Sequence, residues 1–206
     1  KPVIDILTSS FLVTAKLAGI AYILAVVLGI VVGVVAAVNH GKWVDSALMT
    51  ISVFGISAPA FWIAIILQIV ICLKFNLLPL SGIDSFKSFI LPGIALGTRY
   101  AASIARITRT SMLDVLSQDY IRTAEAKGLK GWVVTIKHAL RNALIPIITI
   151  AGSDLGNILT GSVLVESVFS IPGIGKMLVD SINTRDLPIV QGGVMYIAVI
   201  CVIMYL

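Results

Sequence analysis

Charge is the first thing that this sequence has little of. Only 12% of its 206 residues are Asp, Glu, Lys or Arg, while 58% are hydrophobic and the mean hydropathy is +1.06. Soluble domains carry about 25% charged residues. The shortage of charge excludes an ordinary soluble domain. It indicates a membrane protein instead, because several apolar runs reach the roughly 20 residues that a membrane-spanning helix needs.

Cysteine and histidine are also scarce. Cys72 and Cys201 both lie in apolar runs and form no CxxC spacing, which is typical of small core residues and not of a disulfide framework or a metal cluster. The two histidines, His40 and His138, form no HExxH motif. The sequence therefore gives little support for an intramembrane enzyme, and we predict neither a catalytic residue nor a metal ligand.

A nucleotide-binding motif is lacking as well. The residues from Gly173 to Lys176 resemble the end of a phosphate-binding loop. However, Ser170 and Met177 occupy the positions at which the GxxxxGK[ST] pattern requires Gly and Ser or Thr. We therefore expect this chain to bind no cofactor of its own.

The basic residues predict which side of the membrane each loop occupies. The net charge is +5, and the tendency of cytosolic loops to be basic explains it without nucleic acid as a partner. If the loop 119–146 is cytosolic, that side holds Lys42, Arg106, Arg109, Arg122, Lys127, Lys130, Lys137 and Arg141. The other side then holds Lys1, Lys74, Lys87, Lys176 and Arg185. The bias predicts that the loop 119–146 is inside.

The apolar runs predict an all-α fold, a polytopic transmembrane helical bundle. The five predicted spans are about Phe11–Val38, Ala47–Leu73, Phe89–Met112, Ala143–Val165 and Ile189–Leu206. The sequence begins without Met and stops inside an apolar run. We therefore expect one transmembrane domain, residues 1–206, that is truncated at both ends and has six spans in the native chain.

Polar residues inside the spans are candidates for a transport pathway. Asp154, Asn157 and Gly161 are spaced i, i+3, i+7 and so share a helix face. A carboxylate at that depth faces protein or water, so this face either lines a polar pathway or forms a hydrogen-bonded seam with another helix. Ser57 and Pro59 join the pathway candidates, because a kink at Pro59 would either line a cavity or only shape the packing.

Two further charged positions stand out. Arg99 falls at membrane depth in the third span and shares a face with Arg106 and Arg109. An arginine there is a functional candidate, unless it neutralises a nearby Asp or the span begins later. Glu166 opens the polar segment Glu166–Pro188, and we predict that it stands at the outer mouth of the pathway.

The loop Asp119–Pro146 is the one long polar and basic stretch of the sequence. Within it, Tyr120–Lys127 is predicted to form a short helix that ends at Gly128, a residue suited to the position after a helix. A small residue such as Ala124 lets such a helix lie close against the groove of a partner.

The loop and the segment that follows it resemble a known family. The runs RTAEAKGLKGWVVTIKHALRNALIP and GSDLGNILTGSVLVESVFSIPGIG are similar to the permease subunit of bacterial ATP-binding-cassette importers of the MetI-like type. More narrowly, they are similar to the first permease of the dipeptide, oligopeptide and nickel group. The family loop motif has the form EAA, three residues, Gly, nine residues, I-x-L-P. With its Gly on Gly128, only Ala124 and Leu140 fit elsewhere, and the Pro is displaced to Pro146, a variant that this group commonly shows.

The resemblance implies how the chain works. The residues implied to couple it to a cytosolic ATPase are Arg122, Thr123, Ala124, Glu125, Ala126, Lys127 and Gly128. The implied partners are a second permease subunit, in a heterodimer, two ATPase subunits that use ATP-Mg, and an extracytoplasmic substrate-binding protein, all at a bacterial cell membrane. The implied substrate is a di- or oligopeptide. Nickel or a metal chelate carried by the same machine stays an alternative, as does a passive channel or secondary transporter.

Overall fold

The structure is a computed structural model that describes residues 2–83 and 85–205. Within these ranges the chain is helical and contains no β-strand, which confirms the all-α prediction. Its helices are α1 (Val3–Val38), α2 (Trp43–Ser57), α3 (Ala60–Leu67), α4 (Ile90–Leu116), α5 (Asp119–Ala126), α6 (Gly131–Val133), α7 (Arg141–Gly161), α8 (Val163–Val168), α9 (Ile174–Asn183) and α10 (Leu187–Tyr205). Two π-helical segments, Gln68–Lys74 and Val134–Leu140, follow α3 and α6, and a 3₁₀ turn, Phe86–Phe89, precedes α4. Lys1 and Leu206, which entered the predictions on sidedness and truncation, lie outside the described residues.

Helix length and composition indicate which of the predicted spans could cross a membrane. Among the described residues, three helical stretches are long and apolar enough to cross a membrane: Val3–Val38, Gly131–Gly161 and Leu187–Met204. The pair Trp43–Ser57 and Ala60–Lys74 adds a fourth if its two halves count as one span. The predicted third span coincides with the 27-residue helix α4, but α4 is not among these stretches. The count of five spans therefore stays a prediction.

The second predicted span is not continuous. Helix α2 ends at Ser57 and α3 begins at Ala60. Between them Pro59 has an extended backbone, with φ −63° and ψ 136°. A proline ring also disfavours helical backbone at the preceding residue, here Ala58. The kink predicted at Pro59 is thus a complete break in the helix, and the second predicted span, Ala47–Leu73, contains two helices.

The packing of the chain divides it into two compact units. The first unit takes the described residues of 1–24, 58–98 and 153–206, and the second takes 25–57 and 99–152. In the first unit, Leu17, Leu96, Phe169 and Ile171 are among the large side chains that are fully buried. Here α9 packs against both α8 and α10. That the chain is a single transmembrane domain stays a prediction.

In the second unit the end of α1 packs closely against α4. A Cβ atom at Gly29 would lie 2.7 Å from the Cβ of Ile104, and one at Gly33 would overlap the side chain of Thr108. Ile104 and Thr108 are buried. The GxxxG pair of α1 therefore has the packing role that such pairs have in membrane helices, and it fixes which face of α4 points into the unit.

Candidate functional site

Helix α5 lies in the second unit and has two unlike faces. Ile121 and Ala124 are only 1% and 6% exposed. They are three residues apart and so share a helix face, which is the buried one. The other predicted coupling residues are all exposed: Arg122, Thr123, Glu125, Ala126, Lys127 and Gly128. The helix thus lies on its own unit by one face and presents a polar face outward.

The position of Ala124 corrects one expectation. We expected this small residue to let α5 lie close against the groove of a partner. Instead, Ala124 is buried within its own chain, because it falls one turn from Ile121 on the inward face. The small residue on the outward face is Ala126, two positions further along.

The C-terminus of α5 ends as the sequence predicts. Gly128 has φ +76°, a left-handed conformation that is costly for any residue with a Cβ. Its N–H donates to the carbonyl of Glu125 at 2.8 Å, and the N–H of Leu129 donates to the carbonyl of Ala124 at 3.4 Å. These two bonds form a Schellman motif, which satisfies the last carbonyls of the helix and turns the chain away sharply.

Two features surround α5 in the second unit. The Asn142 side-chain amide of α7 donates to the Tyr120 hydroxyl at 2.9 Å, which ties the start of α5 to the long helix that follows it. Beside α5 lies an open groove of about 670 Å³. It is lined by Ala37, Val38, Leu116, Glu125, Gly131, Trp132, Val134, Thr135 and Ile136. Trp132 and Ile136, one turn apart, are 69% and 51% exposed, so the groove has an apolar edge.

The predicted pathway residues lie at two separate places in the chain. On α7, Asp154 is half-buried while Asn157 and Gly161 are exposed, and the helical spacing puts them on one face as predicted. Ser57 closes α2 and donates its hydroxyl to the carbonyl of Val53 at 2.9 Å. Pro59 is exposed at the helix break. Ser57 belongs to the second unit, whereas the other four belong to the first.

Among the described charged residues of the first unit, Glu166 is the most completely enclosed, with 0% of its surface exposed. Its Oε1 accepts hydrogen bonds from the hydroxyls of Thr14, at 2.7 Å, and Ser162, at 2.8 Å. Its Oε2 accepts from the backbone N–H of Lys176 at 3.0 Å. The Thr14 hydroxyl in turn accepts from the N–H of Ile174 at 2.9 Å. The carboxylate therefore ties α1, α8 and α9 together.

The start of α9 is built around this carboxylate. Ile174 and Lys176 lie in the first turn of α9, where backbone N–H groups have no partner within the helix and the helix dipole favours negative charge. A Cβ at Gly173 would overlap the carboxyl group of Glu166, and one at Gly175 would lie 3.0 Å from Oε2 and 2.7 Å from Cγ2 of Val163. Only glycines allow α9 to approach so closely. Glu166 thus caps α9 from another helix.

Sequence reasoning identified Glu166 but missed its surroundings. Thr14 and Ser162 lie 152 and four residues away from it along the chain, and nothing in the pattern marks them. The signal that was present is the Gly173–Gly175 pair, which we compared only with a phosphate-binding loop. Placement of Glu166 at the outer mouth stays a prediction. Since the side chain is buried, any effect that it has there must act through the segment that it holds.

A second ionic cluster, in the second unit, was not predicted. The guanidinium of Arg109 binds Asp45 through two of its nitrogens, with Nε 2.6 Å from Oδ1 and Nη2 2.7 Å from Oδ2. The same Oδ2 accepts from the N–H of Gly41 at 3.2 Å and lies 3.3 Å from Nδ1 of His40. Such a bidentate pair is among the stronger charge interactions in proteins. It fastens the turn between α1 and α2 to α4.

Comparison with known sequences identifies relatives along most of the chain. The sequence profile of the family described as "Binding-protein-dependent transport system inner membrane component" matches residues 29–206. The glutathione transport system permease protein GsiC of Escherichia coli K12 is 44% identical over 195 residues, which cover 95% of this chain and 64% of the relative. The protein of the same name from Shigella boydii serotype 4 is 43% identical over the same length. The chain therefore spans a little under two thirds of these relatives.

Solved structures share the fold. The methionine ABC transporter MetNI in inward-facing conformations has a TM-score of 0.79 at 16% identity, with 100% of this chain and 94% of that chain covered. An amino acid ABC transporter solved with histidines has a TM-score of 0.73, also at 16% identity, with 98% and 90% covered. At that identity the likeness concerns the fold alone, and it confirms the predicted MetI-like type. The family match shows more: this chain is a member of the inner membrane components of binding-protein-dependent transport systems.

Proposed function

We propose that this chain is the permease subunit of an ATP-driven importer of short peptides, and that α5 couples it to a cytosolic ATPase. The observation that carries the proposal is the outward face of α5, which is helical, exposed and ended by Gly128. Helices that lie in the groove of a partner are a common mode of recognition. The partners that we propose are a second permease subunit, two ATPase subunits that use ATP-Mg, and an extracytoplasmic binding protein.

The contacts of α5 support a role in transmitting movement. Its inward face is packed, its start is bonded to α7 through Tyr120 and Asn142, and the chain continues from it directly into the helical stretch 131–161. Movement of α5 would therefore be passed to α7. Only a free-energy difference between two states can drive such a movement, and ATP binding to the partner subunits supplies it in this proposal.

The coupling surface extends beyond the loop motif. The groove beside α5 adds the exposed apolar side chains of Trp132 and Ile136 to the polar face that carries Arg122 and Lys127. Interfaces combine an apolar centre with a polar rim. We propose that the same ATPase subunit contacts both α5 and this edge.

The pathway is proposed to run along the polar face of α7. Asp154, Asn157 and Gly161 share that face, and Asn157 and Gly161 are exposed. Replacing Asp154 by Leu is expected to reduce transport several-fold while the complex still assembles, because the carboxylate would serve the moving substrate. A loss of assembly with unchanged transport per assembled complex would instead identify a seam between helices.

Substrate-stimulated ATP hydrolysis is the test of the whole proposal. The full-length protein is reconstituted in liposomes with the subunits encoded by neighbouring genes. Hydrolysis is then compared for a mixture of short peptides, free nickel and chelated nickel. We expect stimulation by peptides, which agrees with the naming of the relatives for glutathione, itself a tripeptide.

The other outcomes separate the alternatives. Stimulation by nickel alone would support an ATP-driven importer but would contradict a peptide substrate. Transport without any associated ATP hydrolysis would favour a channel or a secondary transporter. In that case the exposed face of α5 would have no ATPase to bind, and variants at Ala126 would leave transport unchanged.

A further inference from the structure

Helix α4 exposes two arginines without ionic partners. Arg99 and Arg106 are both exposed, and among the described residues neither forms an ion pair or a side-chain hydrogen bond. Arg109, on the same helix, is bound by Asp45 at 2.6 Å and its side chain is 23% exposed. Arg109 thus stabilises the fold of this chain, while Arg99 and Arg106 are available to bind a group outside it.

The two arginines lie on one face, opposite the packed face of α4. Ile104 and Thr108 point into the second unit, against Gly29 and Gly33 of α1. The exposed residues Arg99, Arg106 and Thr110, with half-buried Ser103 between them, recur every three or four positions and so form a polar stripe. The charge of the stripe is positive until Asp114, which is also exposed, two turns beyond Arg106.

The depth of Arg99 decides what can cover this stripe. Arg99 follows the first residue of α4 by nine positions, which is about 14 Å along a helix. If α4 crosses the membrane and begins at one surface of the hydrocarbon layer, which is about 30 Å thick, Arg99 lies near the middle of that layer. An unpaired guanidinium there does not face lipid tails, because of its desolvation cost, and such residues mark substrate pathways.

We propose that Arg99 and Arg106 line the water-filled passage and bind carboxylate groups of the substrate as it moves through, so that acidic peptides cross faster than neutral ones. This inference rests on the proposed function of a peptide importer. Arginine suits the task because its planar guanidinium binds a carboxylate through two parallel hydrogen bonds. Two cations about 10 Å apart along the helix would let a carboxylate pass from one to the next.

The experiment compares two peptides that differ in one charge. Uptake of Ala-Glu-Ala and of Ala-Gln-Ala is measured in liposomes that hold the complete complex with saturating binding protein. We expect Arg99→Gln to lower the maximal rate for Ala-Glu-Ala about tenfold, as the loss of one charged hydrogen-bonded pair implies, and the rate for Ala-Gln-Ala about threefold or less. Arg99→Lys should restore only part of the rate, because it restores the charge but not the two parallel hydrogen bonds of the guanidinium.

A matched control removes one positive charge elsewhere. Lys42 is an exposed cation in the turn between α1 and α2, and Lys42→Gln should leave both rates within about twofold of the wild type, since an exposed single charge contributes little. Equal slowing of the two peptides by Arg99→Gln, or no slowing, would overturn the proposal.

Two further results would also overturn it. Loss of the second permease subunit from purified Arg99→Gln complexes would show that the arginine binds that subunit. A defect that followed the content of anionic lipid, and not the charge of the peptide, would assign the stripe to lipid headgroups. If the wild-type complex shows no peptide-stimulated ATP hydrolysis, the proposed function fails first, which distinguishes the two failures.

Discussion

Two helices of this protein end in the same way but have different surroundings. Helix α5 ends in a Schellman motif at Gly128. Helix α8 ends in the same motif at Ser170, where the N–H of Ile171 donates to the carbonyl of Glu166 at 2.8 Å and the N–H of Ser170 to that of Ser167 at 3.2 Å. After α5 the helix face is left exposed. After α8 the carboxylate of Glu166 is locked by three donors.

The comparison separates interactions within one helix end from contacts between helices. The end of α5 is held by backbone hydrogen bonds of the helix itself and, among the described residues, by no side chain of another helix. The outward face of α5 is therefore left exposed. The segment around α8 is held by the side chains of Glu166, Ser162 and Thr14 and by a backbone N–H of α9, so it is an anchor. Breaking the anchor should therefore cost stability, whereas breaking the end of α5 should cost coupling.

The largest effect is expected at Gly173. Gly173→Ala places a Cβ on the carboxyl group of Glu166. The carboxylate must then move and lose hydrogen bonds from donors that are buried with it. The free energy of unfolding should fall by about 3 kcal/mol. Thermal unfolding of the purified complex would measure the change.

The matched control for Gly173 is Gly152 of α7, whose Cβ would meet nothing within 4 Å. Gly152→Ala should leave the unfolding temperature unchanged or raise it, since alanine favours helix over glycine. Similar losses for both variants would show that the Glu166 anchor has no special weight.

The next effect is expected at Gly128, and it concerns coupling more than stability. Gly128→Val forces a branched side chain into a left-handed conformation that costs roughly 1–2 kcal/mol, so α5 must end differently. Peptide-stimulated ATP hydrolysis should fall about tenfold, while unstimulated hydrolysis persists. Gly128→Asn should retain most of the coupling, because Asn tolerates this conformation.

The control for Gly128 is Gly41, which has nearly the same conformation at φ +75° and equally open surroundings. Gly41→Val carries the same backbone strain at a turn that Asp45 and Arg109 fasten to α4 and for which no partner subunit is proposed. A coupling defect as large as that of Gly128→Val would mean that strain alone, and not the end of α5, explains the loss.

A smaller effect is expected from the outward face of α5 itself. Ala126→Trp should reduce stimulated hydrolysis several-fold by obstructing docking, with the unfolding temperature unchanged, because Ala126 is exposed. Ala124→Trp should do the reverse and lower stability by about 1–3 kcal/mol through overpacking. If both variants only destabilise the protein, α5 has no docking face.

The smallest effect, of opposite sign, is expected at Ser170. Its φ of 52° is left-handed backbone that glycine adopts readily. Ser170→Gly should raise the free energy of unfolding by roughly 1 kcal/mol and leave transport unchanged, which thermal unfolding and uptake assays would show. A loss of stability would indicate that the serine side chain itself contributes to the anchor.

Local sequence patterns predicted the class of the protein and several helix ends. Continuous apolar runs of about 20 residues predict membrane helices, which satisfy their backbone hydrogen bonds within the segment itself. Gly128 ended a helix as predicted, and Pro59 broke a helix where only a kink was predicted. Both effects depend mainly on the residue and its neighbours. The family resemblance predicted an importer permease, and the family match confirms that the chain is an inner membrane component of a binding-protein-dependent transport system. The coupling residues, the partners and the substrate stay predictions.

Which helix faces are buried could not be predicted from local patterns, because it depends on how the helices pack. Periodicity puts Ala124 and Ile121 together but does not say which way they point, and the structure points them inward. It also pairs Arg109 with Asp45, across 64 positions, and Glu166 with Thr14, across 152. Such contacts depend on how helices distant in sequence pack, and that packing is set by the sum of many small contacts that no local pattern records.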